Sequence, residues 1–186
     1  MDKYIALLRG VNVGGKNIVS MPILREAFEK SGFCNVSTYI NSGNIIFSCD
    51  NTDIEALQQL CQQIIAEKFN ISISVAVISS KTLAASLNNA PEWWDNDKTS
   101  KHNAIFVIPP ASAETITTEV GEINPEYERA AYHGPVIFWS APLKTFSKTK
   151  WSKFVSTTAC SRVTIRNANT AKKLLQISRV RETTIP

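Results

Sequence analysis

Residues able to do chemistry gather in three short stretches. The first reads Arg9-Gly10-Val11-Asn12-Val13-Gly14-Gly15-Lys16-Asn17, the second Asn41-Ser42-Gly43-Asn44. The third pairs Lys144, Ser147 and Lys148 with Arg166, Asn167 and Asn169. Glycine lets backbone approach a ligand closely or take positive φ, and consecutive free N–H groups form an anion-binding concavity. Amides and cations without carboxylates make a receptor for phosphate, carboxylate or hydroxyl groups. They lack the acid–base pair that proton transfer requires.

Other chemistries leave no mark. The glycine stretch fails the spacing of both a Walker loop and a dinucleotide fingerprint, and no cofactor is expected. His102 and His133 have no partners at ligand spacing, which argues against a metal site. No Ser-His-Asp or Cys-His arrangement can be read along the chain. Each motif also has a plainer role: Gly14-Gly15 as a tight connection, Asn41 to Asn44 as a hairpin turn, and Asn167 or Asn169 as a helix cap.

The elements that must position these residues follow from periodicity. Lys3 to Leu8 reads as a strand. Ser20 and Pro22 open a helix carrying Met21, Leu24, Ala27 and Phe28 inward until Gly32. Val36–Ile40 and Ile45–Ser48 flank the Asn/Gly turn as a hairpin. Asp53 starts a helix with the stripe Ile54, Leu57, Cys61, Ile64 and Ile65, and Ile71–Val77 alternates as a strand. A connector then carries a short helix over 81–87 and the pair Trp93-Trp94, which reads either as a plug between two halves or as an exposed contact site. Ala104–Ile108, Ser112–Val120, Tyr127–Tyr132, Val136–Trp139, Thr149–Thr157 and Arg162–Arg166 repeat the order, and a helix closes the chain near Asn169.

The expected fold is α+β: two tandem ferredoxin-like β-α-β-β-α-β units plus a C-terminal helix. The expected division is a first unit over 1–80, a connector over 81–103 and a second unit over 104–186. In such a unit the first two strands run parallel through a right-handed crossover. Arg9, Asn12, Lys16 and Asn17 must then emerge beside Asn41, Ser42 and Asn44, at one sheet edge. By the same logic the third stretch forms a second polar cluster in the second unit.

The 186 residues are 44% hydrophobic and 19% charged, sufficient for a packed core. No apolar run suits a membrane helix, and no secretion signal opens the chain. With Cys34, Cys49, Cys61 and Cys160 scattered, the expectation is a cytoplasmic protein with reduced thiols. Charge is segregated: ten of 20 Lys and Arg lie between Ala141 and Pro186, against Glu182 alone. A basic region of that kind suits phosphate-bearing partners.

The chain resembles the uncharacterised bacterial family called domain of unknown function 1697. Tyr4 to Asn17 and Thr38 to Asn44 look like two of its signatures. Thr164-Ile165-Arg166-Asn167-Ala168-Asn169-Thr170 looks like a third, with Ala168 where the family usually has tryptophan. The resemblance implies tandem ferredoxin-like units and no established activity. Three functions compete. The first is binding of a small anionic or polar ligand at the glycine loop, with or without catalysis. The second is non-specific nucleic-acid binding through the basic C-terminal region, and the third is an interaction or oligomerisation module without ligand. Exposed aromatics on central strands, which RNA-binding sheets use, are scarce in the first unit; Phe138-Trp139 supply some in the second.

Overall fold

A computed structural model describes residues 1–157 and 160–179; Arg181 and Glu182 of the basic region lie outside the described residues. The first half runs β1 (Asp2–Leu8), α1 (Met21–Lys30), β2 (Cys34–Thr38), β3 (Asn44–Cys49), α2 (Ile54–Phe69) and β4 (Val75–Ser79). After α3 (Ser80–Asn88), the second half runs β5 (Ser100–Val107), α4 (Ala113–Val120), β6 (Arg129–His133) and β7 (Val136–Pro142). A 3₁₀ turn (Leu143–Lys148) leads into α5 (Lys150–Ser156), β8 (Val163–Asn167) and α6 (Ala168–Arg179). There are two four-stranded antiparallel sheets, ordered β2-β3-β1-β4 and β6-β7-β5-β8. The two halves are similar units.

Local chemistry sets the helix ends. The Asp53 carboxylate accepts from the N–H groups of Glu55 and Ala56, and Asn70 closes α2 in the left-handed region. Ser112 and Thr115 form a reciprocal capping box on α4. Two strands differ from the sequence expectation. Ile71 and Ile73 pack against the core but lie outside the ladder, which starts at Val75; their alternation reflects packing, not pairing. β5 begins at Ser100, because Ser100 to Asn103 pair with β7 despite their polarity.

Side-chain alternation divides the interior into layers. Tyr4, Ala6 and Leu8 face α1 and α2 from the first sheet. Ile105, Ile137 and Trp139 face Ala113, Ile116 and Trp151 from the second. Between the sheets, Ile5, Leu7 and Ile46 meet Phe106 and Phe138, with α3 and α6 supplying Leu83, Leu174 and Leu175. Both faces of each sheet are therefore covered, which explains why β1 and β7 read as continuous apolar runs. Trp94 belongs to this middle layer: its ring meets Phe138 edge-on at 5.0 Å, and its Nε1 donates to Asn103 O at 2.8 Å. Phe138 and Trp139 are both buried, so neither offers a stacking surface.

Candidate functional site

The glycine stretch folds as a miniature hairpin. Val13 and Lys16 form an isolated antiparallel bridge, Lys16 N donates to Val13 O at 3.1 Å, and Asn12 N to Asn17 O at 3.2 Å. The two residues between them, Gly14 and Gly15, have φ of 58° and 75°, the double positive φ that a tight two-residue turn requires. Asn12 anchors this hairpin at its base. Its amide nitrogen donates to Val19 O and Asn41 O, and its oxygen accepts from Val19 N. Asn17 Nδ2 donates to Gly10 O. The hairpin and the residue after it are exposed, with Val13 and Ile18 at 66% and 67% accessibility, and the Lys16 ammonium keeps no partner among the described residues.

Loop and β2–β3 turn do meet at one sheet edge. Leu8 N donates to Gly43 O at 2.8 Å. Gly43 has φ +72°, and a Cβ there would lie 2.6 Å from Val11 Cγ2 and 2.7 Å from Leu8 Cβ. Contact at this range admits no side chain.

Arg166 completes the arrangement from β8. It is buried, and its Nε donates to Asn44 Oδ1 at 2.5 Å. One terminal nitrogen donates to Thr164 Oγ1 and Ile165 O, the other to Leu8 O, Ser42 O and Gly43 O. Asn44, itself buried, donates to Tyr39 O and Ser42 Oγ. Among the described residues no carboxylate touches the guanidinium, and burial holds its pKa down at about 10; it still carries its proton at neutral pH. The sequence sets Arg166 apart from Asn44 and Ser42, in another unit. The fold joins them.

In front of this network lies a groove of about 250 Å³, bordered by Arg9, Gly10, Val13, Ser42, Thr164 and Arg166. Arg9 spans it: Nε donates to Cys160 O at 2.7 Å and Val163 O at 3.1 Å, and its terminal nitrogens keep no oxygen partner among the described residues. Of the expected ligand-binding residues, then, Arg9 and Ser42 border the groove. Lys16, Gly14 and Gly15 ride on the exposed hairpin, and Asn12, Asn17, Asn41 and Asn44 hold the loops in place.

The residues of the third stretch have separate contacts. Asn167 Oδ1 accepts from Thr170 N and caps α6. Lys148 sits 5.2 Å over the Tyr127 ring. Among the described residues, no hydrogen bond or ion pair joins Lys144, Ser147 or Lys148 to Arg166, Asn167 or Asn169. Asn169 and Ala168 border a separate cavity of about 520 Å³ with Asp95 and His102, and Ala168 also packs in the middle layer. Basic residues of this region also have local partners, Lys172 with Asp95 at 2.5 Å and Arg162 with Glu119.

Two polar groups had no signal in the sequence. Glu128 is buried and accepts from Lys150 N, Trp151 N and Trp139 Nε1. His102, also buried, lies 2.6 Å through Nδ1 from Ser140 Oγ and 2.9 Å through Nε2 from Asp97 O. Strand register brings these residues together, and no spacing along one segment announces it.

The pattern of the family described as "Protein of unknown function (DUF1697)" matches residues 1–138. The chain belongs to the DUF1697 family. The matched stretch contains the first two DUF1697 signatures, at Tyr4–Asn17 and Thr38–Asn44, and ends in β7, before Arg166. Among solved structures, the chain is similar to the conserved bacterial protein SP0830 from Streptococcus pneumoniae. Identity is 29%, coverage is 96% of this chain and 99% of that one, and the TM-score is 0.84. No curated protein matches. Among the described residues, no helix is long and apolar enough to cross a membrane.

Proposed function

We propose that this DUF1697 protein binds a small anionic ligand, such as a nucleotide or sugar phosphate, in the groove between the glycine hairpin and β8. The observation that carries the reading is Arg166, a buried cation with no acid beside it among the described residues, standing at the back of the groove. An unneutralised charge in a low-dielectric setting projects a positive field that an anion can answer. The terminal nitrogens of Arg9 meet the ligand from one side and the Ser42 hydroxyl from the other. Lys16 closes over it with the N–H groups of Gly14 and Gly15, while Asn12, Asn17, Asn41 and Asn44 keep both loops in register. On this reading the chain is cytoplasmic. It reads as two ferredoxin-like units in tandem, the first over 1–80 and the second from Ser100, where β5 begins, with the segment between them as connector. Burial of both faces of each sheet speaks against nucleic-acid recognition on a sheet.

The test is a thermal-shift screen of inorganic phosphate, nucleotides, sugar phosphates and carboxylates, followed by calorimetry on any hit. Charge-assisted hydrogen bonds contribute about 1.5–3 kcal/mol each, so Lys16→Ala should weaken binding roughly ten- to hundredfold. Lys16 is exposed and its loss leaves the fold intact. If no compound stabilises the wild type, or if Lys16→Ala binds as tightly, the assignment is wrong.

A further inference from the structure

We propose a second site with hydrolytic chemistry, in which Ser140 and His102 form a nucleophile–base pair acting on small uncharged acyl esters. The decisive point is the tautomer. A backbone carbonyl only accepts, so the His102 Nε2 that lies 2.9 Å from Asp97 O carries the proton. Nδ1 is therefore the free base, and it accepts the hydroxyl proton of Ser140 at 2.6 Å. The Asp97 carboxylate lies 3.5 Å from the same Nε2, on the far side of the ring from the serine. A base oriented by a third group and aimed at a hydroxyl is the general form of an activated serine. Such constellations are recognised by geometry and not by order in the chain.

Strand register extends the row. Ser140 is directly opposite His102 on β5 and Arg129 on β6, so the three side chains share one sheet face. Base, nucleophile and cation follow one another across β5, β7 and β6. Arg129 makes no ion pair among the described residues, and it borders the same cavity as Ser140, about 330 Å³ in volume. Its guanidinium is available for the negative charge that develops on a carbonyl oxygen under attack. Trp93 supplies an apolar wall, and Asp97, Glu126 and Glu128 outnumber Arg129 around the cavity. That balance excludes anionic substrates and favours neutral ones.

The reaction balances with water as co-reactant. Ser140 Oγ bonds to the ester carbonyl carbon while its proton passes to His102 Nδ1. The carbon–oxygen bond to the leaving group breaks, and the departing alkoxide takes that proton to leave as the alcohol. Water then attacks the acyl-serine, gives a proton to Nδ1, and Ser140 Oγ leaves with it, releasing the acid. Asp97 acts through His102 as a positioning residue.

The experiment treats the wild-type chain with a fluorophosphonate probe and locates the label by peptide mass spectrometry. Hydrolysis of p-nitrophenyl acetate and butyrate is measured in parallel. The label should map to Ser140. Ser140→Ala and His102→Gln should each lower kcat about 100-fold or more at near wild-type Tm, and Asp97→Asn should lower kcat with KM unchanged. The wild-type labelling decides the matter even where a variant fails to fold. An unlabelled wild type that does not hydrolyse either ester, a label on another residue, or full activity in folded Ser140→Ala would overturn the proposal.

Discussion

Arg166 and Asn44 lie 122 positions apart in the chain and meet at 2.5 Å, guanidinium Nε to amide oxygen. The contact fastens the last strand of the second sheet to the turn that opens β3 in the first. Both partners are buried, so neither can replace the other with water.

Removing the arginine should therefore be costly. Arg166→Ala strands Asn44 Oδ1 and several carbonyls, and buried groups left unpaired cost about 1–3 kcal/mol each. A loss of at least about 3 kcal/mol is expected by urea denaturation, with Arg166→Lys intermediate because an ammonium lacks the planar fork. A change below about 1 kcal/mol for Arg166→Ala would show that the network does not hold the halves together.

Gly43 and Gly14 provide a contrast. Both have positive φ, but only at Gly43 would a Cβ collide with backbone-proximal atoms, whereas Gly14 faces open space. Gly14→Ala should cost about 1 kcal/mol from strain alone, and Gly43→Ala about 3 kcal/mol or more from strain plus overpacking. Equal costs in parallel urea titrations would refute the close approach.

Glu119 and Arg162 tie α4 to the residue preceding β8 through two hydrogen bonds. Hydrogen bonding to Arg162 holds the Glu119 carboxyl below its ordinary value of 4.5. Its contribution to stability is thus present above that value and is lost as pH falls through the lower, folded-state value. Glu119→Gln should melt slightly below wild type at pH 6, and the difference should vanish once pH falls below the lowered, folded-state value. A Tm gap constant with pH would argue against the pair.

Glu128→Gln replaces one acceptor oxygen of a buried carboxylate with a donor, facing N–H groups of Lys150, Trp151 and Trp139. One unpaired donor costs about 1–3 kcal/mol. The expected outcome is a loss of that size together with a red-shifted tryptophan emission as α5 loosens. An unchanged spectrum and melting curve would remove Glu128 from the structural account.

Much of the fold is legible in the sequence. The stripe from Ile54 to Ile65 specified α2, and the order of elements placed Arg9 and Asn12 beside Asn41 and Ser42. What the chain could not announce were relations between halves. Arg166 reads as a strand-end cation because nothing local says that its strand abuts the other unit. The His102–Ser140 pair depends on β5–β7 register, and His102 sits in a polar stretch with no strand signature. The amides of Asn12 and Asn44 looked like ligand groups, yet amides serve backbone carbonyls equally well.

The place of α6 bears on how the chain comes off the ribosome. Ala171, Leu174 and Leu175 cover the inner face of the first sheet together with α3, although that sheet is complete by Ser79. During vectorial synthesis Ile5, Leu7 and Ile46 wait, with part of their apolar surface wet, until the helix that seals them has cleared the exit tunnel. Release of a nascent chain truncated before position 168 should therefore give a species that binds hydrophobic dyes and engages chaperones, and the full-length chain should not.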